Sequence, residues 1–112
     1  MTVMKEAVET PLTETAFLIL LAMYRPNHGY GVMQFVEEKT EGRVVFGPGT
    51  LYGAINNLFK KGLIEKYPTD PSERRQDYVI TPLGKSHVQS ELKRMQEVVA
   101  IAEGIVRSGE HD

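Results

Sequence analysis

A mainly α-helical fold carrying one small β-hairpin is predicted by three observations. Apolar residues recur at helical spacing in several separate stretches. Two short β-type runs flank a loop rich in proline and charge between Leu63 and Thr81, and the C-terminal stretch keeps a heptad-like apolar seam. At 112 residues with 41% hydrophobic content, the chain has material for one modest core. The expected division is residues 1–81 as a compact unit and residues 82–112 as a long helix and tail.

The first helix is expected over Thr13–Tyr24 (TETAFLILLAMY), with Thr13 as N-cap and Glu14 well placed in the first turn. It is apolar nearly all round, which implies burial on more than one side and hints at a partner subunit. Pro26, Asn27, His28 and Gly29 turn the chain. A second helix then runs from Tyr30 to Thr40, with Val32, Phe35 and Val36 inward and Glu37, Glu38 and Lys39 outward, and Gly42 ends it. Arg43–Phe46 (RVVF) suits a short strand or an extended linker.

Pro48 and Gly49 break whatever precedes the third helix, Thr50 serves as N-cap or first-turn residue, and Gly62 fits a left-handed C-cap after Lys60 and Lys61. Leu51, Ile55 and Leu58 form its core face, flanked by Ala54 and Phe59. Gly53, Asn56, Asn57 and Lys60 fall on the opposite face with Tyr52 at its border. No bulky apolar group obstructs that polar face. Asn can donate to and accept from a base edge, Lys can contact phosphate or guanine, and a helix N-terminus offers N–H groups to phosphate. On its own, such a face is more often an ordinary solvated surface.

The hairpin changes that balance. Strands are expected over Leu63–Tyr67 and Gln76–Thr81, joined by a loop from Pro68 to Arg75 whose residues cannot join a core. Arg74 and Arg75 are expected to project from its mobile tip, where guanidinium groups suit phosphate and the narrow minor groove of A·T-rich DNA. Three helices followed by a hairpin give the winged helix-turn-helix order.

Net charge is -2, yet its distribution is uneven. From Arg43 to Lys85 seven basic residues face four acidic ones, leaving six basic against eleven acidic elsewhere. A modest positive lobe on an acidic body can orient a protein on DNA and predicts weak non-specific affinity.

Thr81 as N-cap and Pro82 at the first position open a long helix of about 25 residues, or about 37 Å. Val88, Leu92, Met95, Val99, Ala102 and Val106 are spaced 4, 3, 4, 3, 4 along it, the seam of a coiled coil, widened by Val98, Ile101 and Ile105. Folding back on its own domain is the simpler alternative; the sustained seam favours packing on a second copy.

These segments together resemble the PadR family of transcriptional regulators. The likeness is carried by LTETAFLILLAM (Leu12–Met23), HGYGVMQFVEE (His28–Glu38), GPGTLYGAINNLFKKGLI (Gly47–Ile64) and RRQDYVITPLGK (Arg74–Lys85). It implies a winged helix-turn-helix with a C-terminal dimerisation helix, in the short form with a single such helix. The implied activity is that of a homodimeric repressor at a pseudo-palindromic operator in double-stranded DNA. It also implies a small hydrophobic or aromatic effector bound at or near the dimer interface. The absence of Trp means that a stacked-Trp ligand site cannot be carried over. The resemblance points to Thr50 and Tyr52 as phosphate contacts and to Asn56, Asn57 and Lys60 along the exposed helix face. Tyr30 would lie beside the DNA backbone, and Arg74 and Arg75 match the wing. The expected dimer contacts are Phe17 of the first helix with Val88, Leu92, Met95, Val99, Ala102 and Val106.

Other classes find little support. Without cysteine there is no thiolate nucleophile or Cys-based zinc site. His28, His87 and His111 show no ligand spacing; a turn, a helix surface and a frayed tail are their expected places, and neither metal nor cofactor is expected. Most methionines read as core filler. No nucleophile–base pair or phosphate loop points to an enzyme. The apolar run at Ala16–Met23 is too short to span a bilayer, and a cytoplasmic protein is expected. The main alternative is a winged-helix protein-interaction module that does not bind DNA.

Overall fold

Four helices and a two-stranded antiparallel hairpin make up the computed structural model, which describes residues 11–111. In chain order they are α1 (Glu14–Ala22), α2 (Gly29–Lys39), α3 (Pro48–Lys60), β1 (Ile64–Tyr67), β2 (Asp77–Ile80) and α4 (Pro82–His111). The mainly α class, the winged-helix order and the long C-terminal helix agree with the sequence reading.

Local chemistry sets the boundaries. Thr13 Oγ1 accepts the Ala16 N–H at 3.1 Å and starts α1. The end of α2 is a full left-handed cap in which the Gly42 N–H reaches Glu37 O at 2.8 Å and the Glu41 N–H reaches Glu38 O at 3.1 Å. Glu41 itself takes φ 52° there, followed by Gly42 at 81°. The same cap closes α3, with Gly62 at φ 76° and the Leu63 N–H on Leu58 O at 3.1 Å. Pro48 does not precede α3 as a breaker. It is the first helical residue, with Gly47 as N-cap, because a missing N–H costs nothing in the first turn. Thr50 therefore lies in the first turn. Arg43–Phe46 forms no strand and runs as a linker.

The core gathers Ile19 and Leu20 of α1 with Met23 at its C-cap, Val32 and Val36 of α2, and Leu51, Ile55 and Leu58 of α3. Ile64, Ile80 and Val88 close it. As its composition implied, α1 is surrounded, with Phe17, Leu18 and Leu21 half-buried at its edge. The hairpin pairs Ile64 with Ile80 and Tyr67 with Asp77, and Asn27 adds a single bridge to Tyr78 through two backbone hydrogen bonds of 2.8 and 2.9 Å. Thr81 locks α4 onto this frame: its Oγ1 donates to Gly62 O at 2.7 Å and accepts the Gly84 N–H at 3.0 Å.

Two assignments on α4 need correction. His87 was expected on the helix surface, yet it is only 7% exposed. It shares the inward stripe of α4 with Val88 and Glu91. The helix also continues through His111 rather than fraying before it. At 30 residues α4 is about 45 Å long, and the radius of gyration of 16.9 Å exceeds the roughly 13 Å of a compact chain of this size. The excess is the half of α4 that leaves the core. Among the described residues, no helix is long and apolar enough to cross a membrane.

Candidate nucleic-acid interface

Burying Leu51, Ile55 and Leu58 rotates the other side of α3 outward. Thr50, Tyr52, Gly53, Asn56, Asn57 and Lys60 are all exposed. Gly47 has no side chain with which to cap α3, so its N-cap makes no side-chain hydrogen bond to the first turn. The Tyr52 ring reaches across to α2: a Cβ added at Gly29 would stand 2.5 Å from its hydroxyl. Glycine at this position lets the aromatic ring bridge the start of α3 and the first turn of α2, where Tyr30 is exposed. A further close fit holds that turn. The Asn27 Oδ1 accepts the His28 N–H at 2.8 Å, its Nδ2 donates to Ala22 O at 3.1 Å, and it lies where a Cβ on residue 31 would be, so Gly31 is required.

The wing is more ordered by its own bonds than its composition implied. Asp70 accepts from both the N–H and the hydroxyl of Ser72 at 2.9 Å, which holds its carboxyl below the usual range, and the Glu73 N–H closes a turn onto Asp70 O at 2.8 Å. Arg74 is exposed, as expected. Arg75 is not a free arginine: its Nε donates to Asp77 at 3.1 Å and its Nη1 lies 3.5 Å from Glu73. Elsewhere in the positive lobe Arg43 pairs with Glu14, while Lys66 sits 5.5 Å from the centre of the Phe59 ring. The unpaired positive charge is smaller than a count of residues gives. Among the described residues no group of three or more His, Asp or Glu side chains could hold a metal ion.

The expected dimer residues divide. Val88 is 3% exposed and belongs to the chain's own core, whereas Leu92, Val99, Ala102 and Val106 are exposed and Met95 is half-buried. Phe17 is half-buried beside them, and a groove of about 400 Å³ runs between α1 and α4 with Phe17, Leu18 and Met95 along it and Arg94 at its edge. Glu91, which no sequence pattern singled out, anchors this corner. It is 5% exposed, takes Arg94 Nη2 at 2.7 Å and accepts the Leu12 N–H at 3.2 Å. The Arg94 hydrogen bond is the main force holding its carboxyl below the ordinary value against the cost of burial, helped by Leu12 and by the charges of Arg94 and His87. Asn27 and Asp77 were also missed, since a single-bridge turn and an acid beside an arginine carry no distinctive spacing.

Comparison with known proteins adds independent findings. A family model described as the transcriptional regulator PadR-like family matches residues 17–90. A relative from Lysinibacillus sphaericus, described as uncharacterized protein X, is 31% identical over 88 residues, covering 77% of this chain and 81% of the relative. Among solved structures, a transcriptional regulator from Clostridium thermocellum superposes with a TM-score of 0.70 at 25% identity, over 83% of this chain and 92% of that one. A PadR family transcription regulator from Clostridium difficile gives 0.69 at 18% identity over 84% and 99%, a likeness of fold.

Proposed function

Because this chain belongs to the transcriptional regulator PadR-like family, we propose that it is a homodimeric, sequence-specific DNA-binding protein that represses transcription at a pseudo-palindromic operator. The observation that carries the reading is the exposed polar face of α3, with Asn56, Asn57 and Lys60 along its C-terminal half, set next to a hairpin bearing Arg74 and Arg75. Asn56 and Asn57 read base edges, Lys60 and the wing take phosphates, and Thr50, Tyr52 and Tyr30 position the backbone. Residues 1–81 act as the reading unit and residues 82–112 join two of them. The apolar side of α4 from Leu92 to Val106, exposed in the single chain, supports pairing with a second copy. A small hydrophobic or aromatic effector fits the groove between α1 and α4, where a bound molecule shifts the spacing of the two reading units.

The test begins with the duplex that the wild-type chain enriches from a random-sequence library. Lys60→Ala is expected to lower the slope of log K against log[salt] by ~0.9, one phosphate contact. No enriched duplex, or an unaltered slope, removes this face from DNA. For the effector, phenolic compounds are titrated while release of that duplex is followed; compounds that bind without changing duplex affinity show that the groove does not regulate.

A further inference from the structure

The wing holds one of its two arginines by a partly buried acid. Arg75 donates its Nε–H to Asp77 Oδ1 at 3.1 Å, and its Nη1 lies 3.5 Å from Glu73 Oε1. The two carboxylates are set differently. Glu73 stands on the exposed loop and its contact is long for a charge-assisted hydrogen bond. The Asp77 side chain is 14% exposed, and its backbone stands opposite Tyr67 in the hairpin and directly before Tyr78, which exchanges two hydrogen bonds with Asn27. Its Oδ1 also lies 3.8 Å from His28 Nδ1 at the N-cap of α2. The backbone of Asp77 is thus held by the sheet, and its carboxylate faces the start of α2 at His28.

A guanidinium is planar, so an acid that takes its Nε also fixes the direction of its terminal nitrogens. An incoming phosphate can replace the single exposed contact to Glu73 without disturbing Asp77. We infer that Asp77 is a positioning residue for DNA recognition: it locks Arg75 so that the terminal fork of the guanidinium meets a backbone phosphate. The inference rests on the DNA-binding reading and deepens it, because it gives an acidic residue a favourable part in binding a polyanion. Simple charge counting gives the opposite sign, since removing Asp77 makes the wing more positive.

The experiment measures affinity for the duplex enriched by the wild-type chain over a range of salt. Asp77→Ala is expected to weaken binding about tenfold, the loss of one charge-assisted contact, and to lower the salt slope by ~0.9 although no cation has been removed. Adding Arg75→Ala to Asp77→Ala should cost nothing further, whereas a merely structural part for Asp77 leaves the Arg75→Ala loss in place. Unchanged or tighter binding by Asp77→Ala, or losses that combine independently in the double variant, overturns the assignment. Where Asp77→Ala does not fold, Asp77→Asn removes the charge and keeps the shape: weaker binding supports the inference and unchanged or tighter binding overturns it. Failure of the wild-type chain to enrich any duplex sinks the DNA-binding reading and this inference together, while normal wild-type enrichment with undiminished variant binding sinks this inference alone.

Discussion

At the scale of single residues, Glu91 ties the segment before α1 to α4. It is 5% exposed yet ionised, because Arg94 and the Leu12 N–H offset its desolvation. Glu91→Gln at neutral pH is expected to cost ~1.5–3 kcal/mol, the worth of a hydrogen bond to a charged group. The sign of the pH dependence follows from the depressed value of this carboxyl in the folded chain. The contribution is complete above the unfolded carboxylate value of about 4.3 and is lost as pH falls through the lower folded value, where both states bind the proton. Urea denaturation of wild type and Glu91→Gln should therefore give stabilities that converge in acid, and a gap of constant size from neutral to acid pH would contradict the ion-pair account. Such a residue is poorly legible in sequence. An acid one turn from arginine on a helix reads as a solvated pair, and only the packing of Leu12 reveals its burial.

At the scale of elements, what was legible is what periodicity encodes. The amphipathic spacing of α2 and α3, the all-apolar α1, the threonine caps at Thr13 and Thr81 and the glycine at Gly62 each follow from local physical requirements that the structure meets. The misreadings have equally local causes. Proline breaks a helix before it and begins one after it, so Pro48 fitted either side of a boundary. Along α4 the same apolar repeat serves the chain's own core as far as Val88 and is exposed at Leu92 and from Val99 on, with Met95 half-buried between them, and no spacing marks the change. The junction that seats α4 is tighter than any pattern discloses: a Cβ on Gly84 would stand 2.2 Å from the Leu63 carbonyl oxygen. Helix propensity alone favours Ala over Gly by up to ~1 kcal/mol, and at exposed Gly53, which has open space around its missing Cβ, Ala should stabilise by about that amount. Gly84→Ala forces backbone apart and should destabilise by ~1–3 kcal/mol. Thermal denaturation of the two variants should show shifts of opposite sign; two increases in melting temperature would mean that α4 is seated more loosely than described.

For the whole molecule, the question is what covers the outer half of α4. In the single chain Leu92 and Val99 are 41% and 52% exposed, so aspartate at both positions has no core to disrupt and, for a solvated helix, costs little. If these residues instead form the seam between two copies, the same change buries unpaired charge on both sides of the interface, which costs several kcal/mol and splits the dimer. On the proposed function the consequence is large, because a single unit presents few basic groups: its lobe from Arg43 to Lys85 holds seven basic residues against four acidic ones, and Arg43 is paired with Glu14. Two units held ~34 Å apart, one turn of DNA, make the second contact intramolecular and gain 10²-fold or more in affinity. Leu92→Asp with Val99→Asp is therefore expected to sediment as a folded monomer and to lose duplex binding by about that factor, with every residue of α3 and the wing intact. Sedimentation velocity and fluorescence anisotropy on the same samples separate the possibilities. A double variant that remains dimeric and binds as wild type shows that the pairing surface lies elsewhere, and one that is monomeric yet binds normally shows that a single reading unit suffices.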